Sequence, residues 1–323
     1  MTSKERVSRA IHFNNPDKTP ILFFNKDFDK ADALIVGYRE RRDLPDGDGV
    51  TSEWGYVWER IGNTMGLPHS FPLTDWDNFE TFKKTVPNPD ESFRYELIPS
   101  QMAKYPDRYF VGTLGITGFN VVTFIRGFEN SLEDLYCDRE NIEHLIDIVF
   151  DYECGIIRNL AKFKVSGIFF YDDWGTQSNL MISPDLWREV FAPRYKKQFD
   201  LVHELGMDVW FHSCGNIYDI IPDLIELGAD VLNLNQPDIF GIENLGKQFG
   251  GKICFNCPVD HQTVAISGTH DEIFDYVKRL SDNLGSYGGG LVSNIEEYSS
   301  VGMSDENYNN IVEAFTCLRD GKL

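Results

Sequence analysis

Two potential metal ligands stand two residues apart in the segment Phe211–Gly215, which reads FHSCG. The apolar residues before them predict a β-strand, in which side chains i and i+2 point to the same face. The His212 imidazole and the Cys214 thiolate should therefore converge, and Gly215 can turn the chain directly after them. Mixed nitrogen and sulfur ligands of this kind suit Zn²⁺. The alternative is a buried histidine beside an inert buried cysteine, because two ligands do not make a site.

Further ligands would come from the ends of other strands. Glu296 and Glu297 follow the predicted strand Gly290–Ile295, and zinc accepts a carboxylate beside one imidazole and one thiolate. A solvated acidic turn is the alternative for this pair. Cys254 and Cys257 have CxxC spacing, but an offset of three on a strand sends the two sulfurs to opposite faces. Cys257, at the strand end, could then reach the metal, whereas Cys254 is expected in the core.

Polar side chains at other strand ends are candidates for contact with a substrate. Asp172 and Asp173 lie near the end of the predicted strand Gly167–Trp174. One of these carboxylates should point into the site, as a substrate contact, general base or further ligand. The alternative is an aspartate that caps the next turn. The candidate hydrogen-bonding amides are Asn25, Gln177, Asn235, Gln236 and Asn256.

The segments that would position these residues are short apolar runs alternating with stretches of helical period. Several runs are apolar at successive positions, as expected when both faces of a parallel sheet are covered. An eighth strand is expected among residues 121–126. The other predicted strands are Pro20–Asn25, Arg108–Leu114, Gly167–Trp174, Asp208–Gly215, Asp230–Asn235, Lys252–Cys257 and Gly290–Ile295.

This alternation predicts an α/β fold, a (β/α)8 TIM barrel, whose active site lies at the carboxyl ends of the strands. A doubly wound sheet is the alternative, but no Gly-rich phosphate loop follows the first strand. Residues 40–106 are rich in Pro, Asp, Trp and Phe and have weak periodicity. They are expected to form an N-terminal loop-rich insertion, or cap, over the barrel mouth. We therefore expect one domain over residues 1–323.

The charge balance narrows the classes of partner. The 51 Asp and Glu residues outnumber the 30 Lys and Arg residues and give a formal charge of −21. Such a surface repels phosphate backbones and anionic lipids, so nucleic acid and membrane are poor candidates. No apolar run approaches the ~20 residues that cross a bilayer, and the first residues lack a secretory signal pattern. A cytoplasmic protein is expected, and its six cysteines should be reduced thiols or metal ligands.

Several segments of the chain, between residue 1 and about residue 318, resemble the uroporphyrinogen decarboxylase superfamily. This resemblance implies a (β/α)8 barrel, in agreement with the alternation of strands and helices. The segments are Met1–Arg6, Pro16–Pro20, Phe124–Asn130, Tyr171–Gln177, Ile182–Tyr195, Phe211–Asn216 and Ile221–Leu224.

Two branches of that superfamily make different demands on the sequence. Porphyrinogen decarboxylases carry an Arg-rich segment after the first strand, whereas this chain has FFNKDFD at 23–29. An acidic loop would bind an anionic porphyrinogen poorly. The other branch consists of zinc-dependent methyltransferases that use corrinoid proteins or thiols. Its thiol-methylating members have a His-x-Cys matched here by His212 and Cys214, and a late Cys where this chain has Glu296 and Glu297. A carboxylate in place of a thiolate makes zinc more Lewis-acidic and favours an oxygen substrate.

The resemblance therefore implies a zinc-dependent methyltransferase that moves a methyl group from a small methoxylated compound to a corrinoid. The chain has no Asp-x-His-x-x-Gly segment, so the corrinoid is expected on a separate partner protein. A homodimer is one allowed assembly. The alternatives are methylcobalamin:thiol methyl transfer, a ligand-binding or assembly protein on a decayed barrel, and a uroporphyrinogen-type decarboxylase.

Overall fold

The computed structural model describes residues 1–41, 51–59 and 66–323. Eight of its strands close into a barrel, and two form a separate antiparallel pair. The strands are β1 Ile21–Phe23, β2 Ala33–Gly37, β3 Val57–Glu59, β4 Leu67–Ser70, β5 Tyr109–Ile116, β6 Gly167–Tyr171, β7 Asp208–His212, β8 Val231–Asn233, β9 Cys254–Cys257 and β10 Leu291–Ile295.

Helices follow most of the barrel strands and form its outer layer. None of the helices in the described part of the chain has the length and apolar character needed to span a membrane. The α-helices are α1 Ser3–Ile11, α2 Phe79–Phe82, α3 Ile98–Ala103, α4 Gly118–Arg126, α5 Phe128–Cys137, α6 Arg139–Ala161, α7 Pro184–Val190, α8 Ala192–Glu204, α9 Ile221–Leu227, α10 Ile242–Phe249, α11 Val264–Ser267, α12 His270–Leu284 and α13 Asp305–Arg319.

The barrel strands are joined in the order β1-β10-β9-β8-β7-β6-β5-β2, and every neighbouring pair is parallel. All eight carboxyl ends therefore lie at one end of the barrel. This arrangement confirms the predicted (β/α)8 TIM barrel. The expected active-site face is the one at which the strands end.

The core has two apolar layers, one inside the barrel and one between the strands and the helices. Residues of α1 join the inner layer, and its backbone bonds to the residues just before β5 and β10. The helix thus lies at the amino-terminal end of the barrel. The inner layer includes Leu22, Tyr109, Val111, Phe169, Trp210, Val231, Cys254 and Val292.

The expectation of a strand among residues 121–126 is wrong. These residues belong to α4, which is buried between the barrel and its neighbouring helices. A short apolar run fits a buried helix as well as a buried strand, so its pattern alone could not separate them. The missing barrel strand is β2, Ala33–Gly37, which pairs with β1 and β5.

The described part of residues 40–106 packs against the outer faces of α4 and α6. The Trp54 ring contacts Tyr152 of α6 edge-on, and Trp58 contacts Phe124 of α4 in the same way. A buried ion pair between Arg94 and Glu53, 2.7 Å from Nη1 to Oε2, fixes the segment internally. Part of the segment expected to cap the mouth lies outside the described residues, and the cap remains a prediction.

Candidate metal centre

The loops after β6 and β7 are bonded to each other at the carboxyl end of the barrel. Tyr171 and His212 are partners in the strand register, and beyond them the Gly175 N–H donates to the Cys214 carbonyl at 3.2 Å. Gly215 has φ +73°, and a Cβ there would lie 2.1 Å from the Gly175 carbonyl oxygen. The turn therefore requires glycine, and it brings the ends of both strands into one site.

Three ligand atoms converge at this point: Asp173 Oδ1, His212 Nε2 and Cys214 Sγ. His212 Nε2 lies 3.4 Å from the Cys214 sulfur and 3.4 Å from the Asp173 oxygen. All three atoms lie within 4.8 Å of one another. Tetrahedral zinc, with bonds of about 2.0 Å to nitrogen or oxygen and 2.3 Å to sulfur, separates such ligands by roughly 3.3–3.6 Å. The two distances from His212 therefore match those expected around a zinc ion.

A chain of amides fixes the orientation of the His212 ring. The Asn233 Nδ2 group donates to the Asn256 carbonyl and side-chain oxygens, both at 2.7 Å, so Asn233 Oδ1 is an acceptor. It lies 2.6 Å from His212 Nδ1, which must then carry a hydrogen. The neutral ring therefore presents its Nε2 lone pair to Asp173 and Cys214, as a metal ligand does.

The charges of the group are those of a site that binds a cation. Burial lowers the pKa of His212, but the Cys214 thiolate and the Asp173 carboxylate outweigh this effect and raise it well above its usual range. Burial likewise opposes ionisation of Asp173, yet His212 and the Cys214 N–H, 2.7 Å from Oδ1, hold its pKa below the usual range. Without a metal the His212 ring therefore favours a proton on Nε2 beside Asp173 and Cys214, and a bound metal ion would take the place of that proton.

The neighbouring carboxylate of Asp172 has a different environment, which corrects its expected catalytic role. It accepts the N–H groups of Phe119 at 2.9 Å and Asn120 at 3.0 Å, and also the Tyr195 hydroxyl. These are the first amides of α4, and burial raises the pKa of Asp172 well above its usual range. The two carboxylates lie just beyond the end of β6 and have different partners, so only Asp173 lies beside His212 and Cys214.

Glu296 faces the three ligands without belonging to their group. Its Oε2 accepts the Tyr298 hydroxyl at 2.7 Å, and burial raises its pKa despite that bond and the nearby His212 charge. The Tyr298 ring lies 4.9 Å from the His261 ring, centroid to centroid. Glu296 and Tyr298 therefore form a hydrogen-bonded pair near His212 and Cys214.

The expected roles of Glu297 and Asn25 as a ligand and a substrate contact do not match their contacts. The Glu297 carboxylate accepts the N–H of Ser299 at 3.0 Å and its hydroxyl at 3.2 Å, so it caps the following turn. Asn25 donates to the Glu297 carbonyl at 3.1 Å and accepts its N–H at 2.9 Å. These bonds fasten the end of β10 to the end of β1.

None of the remaining candidates contributes an atom to the group of three ligands. Cys257 lies in the apolar layer between strands and helices, where burial raises the pKa of its thiol to about 12. Asn256 uses both ends of its amide inside the barrel, where its Nδ2 donates to Val292. Gln236 accepts the Gly215 N–H at 3.0 Å, and Gln177 is exposed in the loop after β6.

Sequence reasoning missed three aromatic side chains that surround the centre. Tyr171 lies between Phe24 and His212, with ring centroids 6.2 and 5.3 Å away. Its hydroxyl is buried and has no hydrogen-bond partner among the described residues, and the same is true of His261 Nδ1. Both polar atoms are thus available to a ligand. Tyr171 ends β6, a position that could have marked it, whereas Tyr298 and His261 lie on loops.

A wide cleft opens at the same end of the barrel, beyond β2 and β5. Its volume is about 960 Å³, which is ample for a small-molecule ligand. In the described part of the chain its lining residues are Tyr38, Arg39, Glu40, Arg41, Phe93, Thr113 and Gly115.

Comparison with known proteins agrees with this fold. The sequence profile described as uroporphyrinogen decarboxylase (URO-D) matches residues 69–316, and the chain belongs to this family. Among solved structures, a methyltransferase from Methanosarcina mazei superposes with a TM-score of 0.71 at 15% identity, covering 98% of both chains. A 3-keto-D-glucoside 4-epimerase from E. coli gives a TM-score of 0.45 at 15% identity, over 77% of this chain and 95% of that one. No curated protein matches the sequence.

Proposed function

We propose that this protein is a zinc-dependent methyltransferase that moves a methyl group from the oxygen of a small methoxylated compound to a corrinoid carried by another protein. The observation that carries the proposal is the convergence of Asp173, His212 and Cys214 at the carboxyl end of the barrel. Catalytic zinc sites have three protein ligands and keep one position open. Three ligands at the open end of the barrel match that pattern.

The donor set suits zinc and the proposed reaction. An imidazole nitrogen, a thiolate and a carboxylate are all zinc ligands, and the Asn233 amide supports the imidazole from behind. Zinc bound there would supply Lewis acidity to an ether oxygen, which weakens the carbon–oxygen bond as negative charge develops on that oxygen. One thiolate rather than two leaves the ion harder and favours an oxygen substrate over a sulfur one.

Other side chains near the three ligands are proposed to donate a proton and to contact the substrate. The Glu296 carboxyl and the Tyr298 hydroxyl share one hydrogen bond, and burial raises the pKa of both groups. The Tyr298 hydroxyl and the Glu296 carboxyl are therefore the groups proposed to supply a proton to the oxygen left after the methyl group departs. The Tyr171 and His261 rings bound the same space, and their unpaired polar atoms, which lack partners among the described residues, can hold the substrate.

The acceptor is proposed to be a corrinoid on a partner protein. Support comes from the resemblance to corrinoid-dependent members of the family and from the fold shared with the Methanosarcina mazei methyltransferase. The chain lacks the Asp-x-His-x-x-Gly segment of corrinoid-binding proteins.

Two measurements test the proposal. The zinc content of the purified protein should fall by one ion per chain in His212→Ala and should not change in His270→Ala, whose histidine is half exposed and pairs with Asp271. Transfer of methyl groups from methoxylated aromatic compounds to a reduced corrinoid protein should fall by about a hundredfold or more in His212→Ala. Full zinc content in that variant would contradict the proposed site. Transfer from methylcobalamin to thiols, without demethylation of ethers, would support thiol methylation instead.

A further inference from the structure

A second group of metal-ligating side chains lies at the opposite end of the barrel. Asp208 begins β7 and Asp230 directly precedes β8. His12 caps the end of α1, and His203 lies in the last turn of α8. The amino-terminal end of the barrel thus collects two imidazoles and two carboxylates from four elements, remote from the proposed active site.

The donor atoms of this group are already close together. His12 Nε2 lies 3.0 Å from Asp208 Oδ1, and His203 Nε2 lies 2.8 Å from Asp230 Oδ2. Ligand atoms of His12, Asp208 and Asp230 lie within 4.8 Å of one another. His203 is outside this close group of three and contacts it only through Asp230. Tetrahedral zinc holds nitrogen and oxygen ligands roughly 3.3 Å apart, so the His203 side chain would have to turn toward Asp208 to complete a four-ligand site.

Each carboxylate is also held by a second donor, as metal-binding carboxylates are. The Tyr109 hydroxyl, inside the barrel, donates to Asp208 Oδ2, which leaves Oδ1 directed at His12. The backbone N–H of Val209 donates to Asp230 Oδ2 at 2.7 Å. These bonds tie the two carboxylates to β5 and β7. The barrel therefore fixes the two aspartates, and the helices α1 and α8 supply the two histidines.

The group differs from an ordinary acidic patch because its net charge matches that of one divalent metal ion. Two carboxylates with two neutral imidazoles carry a charge of −2, which one divalent transition-metal ion neutralises. The two imidazole side chains are 43% and 40% exposed, so an ion can reach them from solvent.

We propose that His12, His203, Asp208 and Asp230 bind zinc or a similar divalent transition-metal ion in a structural site. Four protein ligands leave no open position, which distinguishes a structural zinc site from a catalytic one. The bound ion joins α1 and α8 to the first residues of β7 and to the approach to β8. It therefore stabilises the closed amino-terminal end of the barrel. This proposal does not depend on the proposed methyl transfer.

The group of Asp173, His212 and Cys214 is called the upper site here, and the group of His12, His203, Asp208 and Asp230 the lower site. The test uses the full-length His212→Ala/Cys214→Ala variant, in which the upper site is removed. Zn²⁺ titration by calorimetry should show one equivalent bound, and a hundredfold excess over the dissociation constant should raise Tm by roughly 5 °C. Adding His203→Gln or His12→Gln should weaken binding at least tenfold and abolish the Tm shift. Adding His270→Gln, at another half-exposed histidine beside an aspartate, should change neither.

Two results would overturn the lower site. One is that the His212→Ala/Cys214→Ala variant binds no zinc and its Tm does not respond to the metal. The other is that His203→Gln and His12→Gln bind zinc as tightly as their parent. In either case the four side chains form only two histidine–aspartate ion pairs. Because the two histidines are half exposed, their replacement by glutamine is expected to leave the fold intact, which circular dichroism checks.

Discussion

The Asn233 side-chain oxygen lies 2.6 Å from His212 Nδ1, and this contact decides which ring nitrogen faces the metal ligands. Asn233 cannot present its amide nitrogen to the ring, because that group donates to Asn256. The hydrogen of the neutral imidazole is therefore on Nδ1, and the lone pair is on Nε2. A side chain one strand away thus orients His212 for the proposed metal ion.

Replacing Asn233 should weaken metal binding more than it weakens the fold. In Asn233→Ala the ring loses the bond that sets its tautomer, and the zinc affinity should fall about 10–100-fold. Competition with a chromophoric chelator measures this affinity. Asn244→Ala, on the outer helix α10, is the control and should bind zinc normally. An unchanged affinity in Asn233→Ala would show that the ring needs no such support.

The adjacent aspartates should give opposite phenotypes. Asp173→Ala removes a ligand, so zinc affinity should fall at least tenfold while the free energy of unfolding without metal changes by about 1 kcal/mol or less. Asp172→Ala removes the acceptor of two α4 amides and one hydroxyl. Its free energy of unfolding should fall by about 2–4 kcal/mol, with one zinc retained at the upper site. Chemical denaturation and metal analysis distinguish the two, and the reverse pattern would contradict the assignment.

The two cysteines near the strand ends should also differ. Cys214→Ala should lose the upper metal ion, because the thiolate is one of its three ligands. Cys257→Ala should keep it and lose about 1–2 kcal/mol of stability, because its sulfur fills the apolar layer. Iodoacetamide should not modify Cys257 in the folded protein, since burial raises the pKa of that thiol to about 12. Loss of zinc in Cys257→Ala would show that Cys257 is a metal ligand after all.

Glu153 should make the fold sensitive to pH. It accepts the Gly118 N–H at 2.7 Å and a Gln198 N–H at 2.7 Å, and burial raises its pKa from 4.5 to about 7. The folded state therefore holds this proton more tightly than the unfolded state. The resulting stability, about 3 kcal/mol, is complete below pH 4.5 and is lost as pH rises through 7.

The variant Glu153→Gln isolates this effect. Its amide stays neutral, so its contribution to the slope of unfolding free energy between pH 4.5 and 7 should disappear. The buried Gln198 Oε1 has no partner among the described residues and can accept from the new amide. Denaturation curves across this pH range measure the slope, and identical slopes in variant and wild type would show that Glu153 does not cause the pH dependence.

The sequence predicted the barrel because most of its strands are buried on both faces and read as continuous apolar runs. It did not reveal β2, which is five residues long and follows β1 after a single 3-10 turn. It also could not show that 121–126 is helical, because a buried helix and a buried strand have similar composition over six residues.

The sequence predicted which side chains of the candidate site lie on the same face. It did not predict which of two adjacent side chains faces the site. The i, i+2 rule correctly brought His212 and Cys214 together, and it correctly separated Cys254 from Cys257. Which aspartate of a pair faces the site depends on where the strand begins its alternation, and the sequence left that open. Tyr298 and His261 lie on the loops after the neighbouring strands β10 and β9 and meet through the paths of those loops, which no local pattern predicts.

Replacing the bound metal by Co²⁺ shows whether a sulfur atom holds the ion, because only a sulfur ligand gives an intense near-ultraviolet charge-transfer band. Wild-type protein and His203→Gln should both show this band, and Cys214→Ala should lack it. A cobalt-loaded wild type without the band, or a band that survives in Cys214→Ala, would contradict a metal held by the His212 and Cys214 pair.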